Sequence, residues 1–571
     1  MSNKQARPTD DVAIVSMGLK FPGNILTLDD LWKTLQSEQS TAQDASLCGR
    51  WSSLEESNMA QVQGRSVSLV DNLEHFDPSY FGISLSEAES MDPHQRLLLE
   101  TVERALVQIR TNLKEETLSL RSEEPDEVST SVYVGMSSTE YQSMLRGSSS
   151  VYAATGGALS VAAGRISYLH GWQGAAVVVN TEDSSSLTAL HQACAALRSR
   201  ECQRSVVAGV SLILSPGGVS SAICRGEGCG AVILKRLADA ERDGDFVYGV
   251  IRGSAVMQDG KSATLTTQSV NMQVVRAALS DAGVRAADVC YVEAHGTGTK
   301  LGDLIEAEAL SAVYSESSVH LGTVKANIGH LQAAAGMAGL FAALAALQHA
   351  AASSGAGDDD CLLAAVSSRS TAGSLAHVVV ASRARDRVSP PPQWVAHIPQ
   401  YTPVVVPYTR AHPQAQLQQT HIPAPVAQRA VDPCSAQRRD RDDVAIIGLS
   451  CQFPGGVTDL SSLWSVMQTG KDCTSEVPAS RWDTAAITAH YAGQVDPDTL
   501  SRIRHGGFLA DDELHGAPME TAECIAGSVY AAVCAKLGAS DDLSHRLLLH
   551  GTLAAIADCV AKNTPNTNTN T

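Results

Sequence analysis

The chain has 571 residues, with 42 basic and 61 acidic side chains and a formal net charge of −19. This negative charge disfavours nucleic acids and anionic membrane surfaces as partners. The length predicts about three or four domains, or fewer if one of them is a large α/β body. Because aromatic residues make up only 4% of the chain, we expect a core of Ala, Val and Leu with closely packed helices.

The cysteines and the amino terminus indicate the compartment. None of the 13 cysteines belongs to a Cys-x-x-Cys pair, which predicts reduced thiols and no metal site. The opening MSNKQARPTDD lacks the apolar stretch of a secretory signal. We therefore expect a cytoplasmic protein.

Short β-rich runs alternate with helical patterns up to residue 380, as is typical of an α/β fold. A helix is predicted after Asp92-Pro93, because aspartate is a favoured cap and proline suits the first turn. The predicted strands are 132–134, 175–179, 206–214, 231–234, 247–251, 289–292 and 319–324. The wholly apolar run 175–179 fits a sheet that is covered on both faces.

Two further helices are predicted in this part of the chain. One follows Asp183, where Leu187, Leu190 and Cys194 begin an apolar stripe at helical spacing. The other is the run 331–352, which is long and apolar but consists mainly of alanine. Glutamines interrupt it, so we expect a buried core helix and no membrane span.

The opening segment recurs late in the chain. Residues 11–23 return as 443–455, an offset of 432 residues (443 − 11). A period this long indicates duplication of a whole domain, because solenoid repeats have about 20 to 50 residues. Ten of the 21 prolines fall in 390–433, which predicts an extended linker; a surface loop within one domain is the alternative.

These patterns divide the chain into segments. Residues beyond 512 resemble nothing familiar, and the polar tail NTPNTNTNT is expected to be disordered. The segments are an amino-terminal tail (1–10), a first domain (11–383), a Pro-rich linker (384–441), a partial second copy (442–512) and an unassigned region (513–571).

Three strand-to-helix junctions in the first domain carry side chains suited to chemistry. The first is a serine-rich turn within 177–190, and the second, 291–299, has a strand that ends at His295 before a Gly-Thr turn. The third, 322–330, holds Lys325 and His330 just before the alanine-rich helix. Such junctions present backbone amides and side chains to ligands in α/β sheets.

At these residues the chain resembles the ketosynthase, or β-ketoacyl synthase, domain of modular type I polyketide synthases and fatty-acid synthases. The resemblance covers most of residues 10–380. It also rests on HFDPSYFGIS at 75–84, MDPHQRLLLE at 91–100, YAATGGALSVAAGRISYLHG at 152–171 and RGEGCGAVILKRL at 225–237.

The resemblance implies a thiolase-like layered αβαβα fold and a homodimer. It also implies an acyl carrier protein as partner, whose phosphopantetheine arm brings the substrate, and other polyketide synthase modules as neighbours. No tightly bound cofactor is expected.

In that family a cysteine at a helix amino terminus takes the acyl chain, and two histidines promote decarboxylation of a malonyl thioester whose enolate attacks the acyl group. The resemblance assigns the histidine roles to His295 and His330, and makes Lys325 the charge that orients the second histidine. Buried core histidines and a surface lysine are the alternatives. Glu293 is expected to support the His295 loop. Thr297, Thr299 and Asn327 are expected to hold the phosphopantetheine arm, and plain turn chemistry is the alternative for the threonines.

The first junction departs from the family. The family pattern Asp-Thr-Ala-Cys-Ser-Ser-Ser reads Asn-Thr-Glu-Asp-Ser-Ser-Ser at 180–186, so Asp183 stands at the nucleophile position. Acyl transfer to a carboxylate would give a mixed anhydride, which is higher in energy than the thioester. We therefore expect condensation to fail. An ionised Asp183 would also repel a malonyl carboxylate by about 4 kcal/mol at about 4 Å and an effective dielectric of about 20.

Alternative interpretations of this position remain. Asp183 could cap a helix in a domain that no longer does chemistry, serving dimerisation and carrier docking. The domain could also decarboxylate malonyl thioesters without condensing them. Ser184 is a poor substitute nucleophile, because it lies in no Gly-x-Ser-x-Gly elbow. Short or altered segments at 215–224, 350–361 and 367–377 predict an incomplete acyl pocket, and a truncated or misassembled gene product is suspected.

Overall fold

The computed structural model describes most of the first predicted domain and parts of the second copy. Described residues up to 406 belong to one compact unit, and those from 446 onward to a second. The predicted tail 1–10, almost all of the linker and the region 513–571 lie outside the described residues. The described ranges are 11–51, 62–112, 128–137, 140–145, 150–220, 222–260, 268–315, 319–353, 361–382, 404–406, 446, 449–481, 483–491 and 504–509.

The described strands of the first unit are β1 (Val12–Lys20), β2 (Gln43–Asp44), β3 (Ser66–Ser68), β4 (His75–Phe76), β5 (Thr130–Gly135), β6 (Ala176–Val179), β7 (Arg204–Ser211), β8 (Arg225–Gly226), β9 (Gly228–Arg236), β10 (Gly249–Gln258), β11 (Val289–Glu293), β12 (His320–Gly322), β13 (Leu363–Arg369), β14 (Ser374–Ala381) and β15 (Val404–Val405). Its described α-helices are α1 (Leu28–Gln36), α2 (Leu85–Ser90), α3 (Pro93–Asn112), α4 (Glu140–Met144), α5 (Ala153–Gly157), α6 (Leu159–His170), α7 (Ser185–Arg198), α8 (Leu237–Asp243), α9 (Gln268–Ala282), α10 (Lys300–Val313), α11 (Lys325–Ile328) and α12 (Ala335–Ser353).

Ten strands form one sheet in the order β12-β11-β13-β14-β10-β1-β9-β7-β5-β6. The two halves of this order have the same topology. In one half β5 pairs in parallel with β6 and β7, and β9 is antiparallel to β7 and β1. In the other, β11 pairs in parallel with β12 and β13, and β14 is antiparallel to β13 and β10. A short antiparallel contact between β1 and β10 joins them.

Helices cover both faces of each half-sheet. The central helices α7 and α12 contact each other and pack against β5 and β7 or β11 and β13, around a buried cluster that includes Leu187, Phe341 and Ile14. The outer faces carry α3 on β1 and β9, and α9 on β10 and β14. A Cβ atom on Gly18 of β1 would lie 2.2 Å from the carbonyl oxygen of Thr101, so only glycine allows this approach of α3. The predicted layered αβαβα fold is confirmed.

The predicted helices are present. One begins at Pro93, one at Ser185, and the alanine-rich run forms α12. The segment Gln332–Ala350 is long and apolar enough to cross a membrane, but 78% of its apolar window is buried inside the protein. This burial agrees with the predicted core helix.

One strand prediction needs correction. The strand predicted over 206–214 ends at Ser211, because the following amides donate to side chains: Leu212 to His94 Nε2 (3.0 Å) and Leu214 to Glu140 Oε2 (3.0 Å). The run 175–179 contains the edge strand β6, which α6 contacts from the outer layer and α7 from the central layer, so the expected covering of both faces is present although Ala176 is exposed.

A piece of the predicted linker belongs to the first unit. β15 pairs with β4, and Val406 is fully buried. The guanidinium of the buried Arg96 donates to the carbonyl oxygen of Val406 over 2.7 Å. The chain therefore returns to the first domain after the described β14 has ended.

The second unit repeats the opening of the first. An isolated bridge joins Phe453 to Val457 as another joins Phe21 to Ile25. Helix α13 (Leu460–Thr469) then follows a capping Asp459, as α1 follows Thr27. The other described elements of the second unit are β16 (Ser475–Glu476), β17 (His505–Gly506) and α14 (Thr484–Tyr491).

Within the described part of the second copy, α13 lacks the packing that α1 has in the first. Leu460 in α13 is 56% exposed, whereas its counterpart Leu28 in α1 is 1% exposed. The strands described in 449–509 form only the pair β16 and β17. This agrees with the prediction of a partial copy.

Candidate functional site

A short 3₁₀ turn, Glu182–Ser184, lies between β6 and α7 and carries Asp183. The hydroxyl of Ser368 in β13 donates to the carbonyl oxygen of Asp183 over 2.7 Å, which fixes the turn against the other half-sheet. The buried Ser184 hydroxyl donates to the carbonyl oxygen of Thr181 over 2.9 Å. Ser184 therefore has a local structural partner.

The carboxylate of Asp183 faces the two predicted histidines. Its Oδ2 lies 3.1 Å from Nε2 of His330 and 4.0 Å from Nε2 of His295. The residue at the cap of α7 is Ser184, and no side chain caps that helix end. The interpretation of Asp183 as a helix cap is therefore wrong, because its carboxylate contacts the imidazoles instead.

The imidazoles are held close together in the interior. The ring centroids of His295 and His330 are 5.6 Å apart and the rings are nearly perpendicular. Their side chains are 3% and 4% exposed, and that of Asp183 is 15% exposed. Burial, followed by the charges of Lys325 and His330, holds the pKa of His295 well below its ordinary value. Burial therefore favours the neutral imidazole at His295.

The loop that carries His295 is fixed by a carboxylate that the sequence analysis did not select. Glu306 in α10 accepts hydrogen bonds from the backbone amides of His295 (2.7 Å) and Gly296 (3.0 Å). The expectation that Glu293 holds this loop needs correction, since its Oε1 accepts instead from the amide of Val324 over 2.7 Å. Glu293 thereby ties β11 to the start of α11.

Lys325 adds positive charge to this buried group. Burial lowers its pKa, and the nearby carboxylates of Glu293 and Glu306 oppose that shift. Burial raises the pKa of Glu293, which the charge of Lys325 counteracts. Lys325 thus lies within electrostatic reach of the carboxylates that hold the site, and its role in orienting His330 stays a prediction.

The residues predicted to hold the phosphopantetheine arm lie beside this group. The hydroxyls of Thr297 and the exposed Thr299 are 3.1 Å apart, in a turn whose amides at 297 and 298 donate to Asp303. The side-chain Nδ2 of Asn327 donates to the carbonyl oxygen of Gln39 over 2.9 Å. Asn327 therefore anchors the segment after α1, and arm binding by these residues stays a prediction.

Glu182 points to the turn between β13 and β14. Its Oε2 accepts hydrogen bonds from the hydroxyls of Ser370 (2.7 Å) and Thr371 (2.5 Å) and from the amide of Ala372 (3.1 Å). Burial would raise the pKa of Glu182, but these hydrogen bonds outweigh it and lower the pKa. Glu182 and this turn hold each other in place.

Sequence reasoning missed Glu306, Asp303, Ser368 and the turn at 370–372. Asp303 and Glu306 lie in the first two turns of α10, directly after the Gly-Thr turn, where acidic side chains favour exposed amides. Their position in the sequence could therefore have identified them as acceptors for the amides of the Gly-Thr turn. The contacts of Ser368 and of the 370–372 turn join residues more than 180 positions apart and gave none.

Two family models match the chain. The "Beta-ketoacyl synthase, N-terminal domain" matches residues 9–222 and 441–535, which together are more than half of the chain. The "Beta-ketoacyl synthase, C-terminal domain" matches residues 248–355.

Relatives with curated descriptions belong to polyketide synthases. The chain is 39% identical over 376 residues to a phenolphthiocerol/phthiocerol polyketide synthase protein of Mycobacterium bovis, covering 60% of this chain and 20% of the relative. It is 38% identical over 384 residues to polyketide synthase GfsE of Streptomyces halstedii, covering 61% of this chain and 10% of the relative. The chain thus matches a fifth or less of the length of these two relatives.

Solved ketosynthase structures have a similar fold. The ketosynthase from module 6 of the bacillaene synthase of Bacillus subtilis matches with a TM-score of 0.56 and 31% identity, over 65% of this chain and 72% of that one. Ketosynthase twelve of the bacillaene polyketide synthase of Bacillus amyloliquefaciens matches with a TM-score of 0.57 and 26% identity, over 66% and 76%.

Proposed function

The chain belongs to the β-ketoacyl synthase family, and from that premise we propose that residues 11–383 are a ketosynthase domain of a polyketide synthase that is defective in condensation. The observation that carries this proposal is the carboxylate of Asp183, 3.1 Å from His330 and 4.0 Å from His295. By resemblance, this is the place of the acyl-accepting cysteine.

Two physical effects of Asp183 oppose the family reaction. First, acyl transfer from a thioester to a carboxylate runs uphill to a mixed anhydride, so no stable acyl enzyme forms. Second, the carboxylate contacts the ring nitrogens that would otherwise stabilise the oxygen of a bound thioester as an enolate forms. Both the loading step and the enolate step are therefore impaired.

We propose that the domain serves as a dimerisation and carrier-docking module. The edge strand β6 supports a homodimer, because Ala176 is exposed at an edge where a second copy could continue the sheet. The turn at 297–299, beside the buried histidines, is the proposed contact of the phosphopantetheine arm of an acyl carrier protein. Neighbouring polyketide synthase modules are the proposed larger assembly, and no tightly bound organic cofactor enters this account.

A cytoplasmic location fits this proposal. All described cysteines are free thiols. Reduced thiols are the usual state in the cytosol.

Malonyl-thioester decarboxylation is the second candidate function. His295, His330 and Lys325 still converge in the interior, and these are the groups that the family uses to promote loss of carbon dioxide. One experiment compares the candidates: the full chain is incubated with malonyl-acyl carrier protein, with and without an acyl thioester, and carbon dioxide and condensed product are measured. The docking module gives neither. Carbon dioxide alone indicates a decarboxylase, and condensed product refutes the proposed defect.

A further inference from the structure

The geometry points to a divalent transition-metal site of the Zn²⁺ class, with Asp183 Oδ2, His295 Nε2 and His330 Nε2 as its ligands. Each residue offers one ligand atom, and the three atoms lie within 4.8 Å of one another. No metal site was expected from the sequence, because none of its cysteines belongs to a Cys-x-x-Cys pair.

The observed separations are close to those of a coordinated ion. With bonds of about 2.0 to 2.1 Å, tetrahedral ligand atoms stand about 3.3 Å apart. Here Asp183 Oδ2 is 3.1 Å from His330 Nε2 and 4.0 Å from His295 Nε2. Side-chain movements of about 1 Å bring the three atoms to bonding distance of one ion, which is within the reach of small rotamer adjustments.

The chemistry of the donor set suits such an ion. Two imidazoles and one carboxylate bind Zn²⁺ in catalytic sites and Fe(II) in others, and three protein ligands leave a position for water. A buried group of two imidazoles and one carboxylate also carries no more than a single negative charge. A divalent cation would offset that charge and leave the group with one net positive charge (2 − 1), which a bound hydroxide in the open position would balance.

The ligands are held by the surrounding structure. Ser368 fixes the backbone of Asp183, and Glu306 fixes the backbone amide of His295. His330 is held through its own backbone, whose amide donates to the carbonyl oxygen of Cys224 over 2.9 Å. Little backbone ordering therefore remains to be done when an ion binds.

The surroundings also limit the affinity. The Nδ1 atoms of His295 and His330 are buried and have no hydrogen-bond partner among the described residues. Metal-binding imidazoles usually donate this proton to an acceptor, and losing that partner typically costs about 10- to 100-fold in affinity. We expect binding weaker by about that factor than in sites with a complete outer shell.

The inference does not depend on the proposed function, because metal binding is measured without a carrier protein or an acyl substrate. The full chain is stripped with a chelator, dialysed against Zn²⁺ or Co²⁺, and analysed for bound metal by inductively coupled plasma mass spectrometry. The wild type should hold about one equivalent of either ion. Asp183→Asn and His330→Gln should each lose it, while the matched control Glu182→Gln, whose native carboxylate faces the 370–372 turn, should retain it.

A gain of signal guards against variants that fail to fold. Asp183→Cys replaces the carboxylate with a thiolate, which also binds Zn²⁺ and Co²⁺. The Co²⁺ difference spectrum of Asp183→Cys against wild type should show a new sulfur-to-cobalt charge-transfer band, which Asp183→Ser should lack. The inference is overturned if the wild type binds no more metal than Asp183→Asn, or if the Cys variant shows no such band.

Discussion

Replacing Asp183 with alanine should switch on malonyl decarboxylation. The change removes the carboxylate that contacts Nε2 of both His295 and His330, at 4.0 and 3.1 Å. The freed nitrogens can then stabilise the enolate oxygen, and one such donor is typically worth about 100- to 1,000-fold in rate. Removing the charge also relieves a repulsion of about 4 kcal/mol toward the malonyl carboxylate, or about a thousandfold. We expect Asp183→Ala to release carbon dioxide at least about 100-fold faster than wild type.

The assay follows carbon dioxide from malonyl-acyl carrier protein under single-turnover conditions. Asp183→Asn keeps the shape of the side chain and removes its charge, so it should gain the electrostatic part alone. The double variant Asp183→Ala, His330→Gln should fall back toward the wild-type rate. If folded Asp183→Ala released carbon dioxide no faster than wild type, the claim that Asp183 blocks the histidines would be refuted.

Three more outcomes are expected. Asp183→Cys alone should restore little condensation, measured as β-ketoacyl product. The reason is that a displacement of the reacting groups by about 1 Å in the altered pocket lowers the rate about a hundredfold. A turnover of about 1 per second or faster would contradict this. The double variant Glu182→Ala, Asp183→Cys should be acylated at the new cysteine faster than Asp183→Cys alone, as measured by intact mass. A nearby carboxylate raises the pKa of a thiol and lowers the fraction of reactive thiolate. Equal acylation of the two variants would contradict this effect. Burial lowers the pKa of His377 from an ordinary 6.5 to about 3. Below pH 6.5 the unfolded chain therefore takes up a proton at this residue that the folded chain does not. The free energy of unfolding should then fall between pH 6.5 and 3 by up to about 1.4 kcal/mol per pH unit, with no such loss above pH 6.5. The free energy of unfolding of His377→Gln should decline less steeply than that of wild type below pH 6.5. The same decline in both proteins would contradict the lowered pKa of His377.

Much of the fold followed from local patterns. The helix starts at Pro93 and Ser185 were predicted because capping and apolar spacing are properties of neighbouring residues. The edge position of β6 was not, because a wholly apolar run has the same pattern in the centre of a sheet and at its edge. The end of β7 at Ser211 depended on distant acceptors such as His94, which no local pattern reveals.

The candidate site was predicted only in part. Motif order placed His295 and His330 together with Asp183, and the structure brings the three within contact. Where the Asp183 carboxylate points was not predictable, because helix capping and contact with imidazoles suit the same residue type. The carboxylate that holds the His295 loop was assigned to the nearer Glu293 instead of Glu306, since only the fold returns α10 beneath that loop.

The acyl state of the wild-type chain tests the central claim most directly. The full chain is incubated with an acyl-acyl carrier protein, and its intact mass and the peptide containing Asp183 and Ser184 are analysed by mass spectrometry. The account predicts no acyl group on that peptide, whatever happens at cysteines elsewhere. An acyl adduct at Asp183 or Ser184 would show that this site still accepts an acyl chain, and would contradict the proposed defect in condensation.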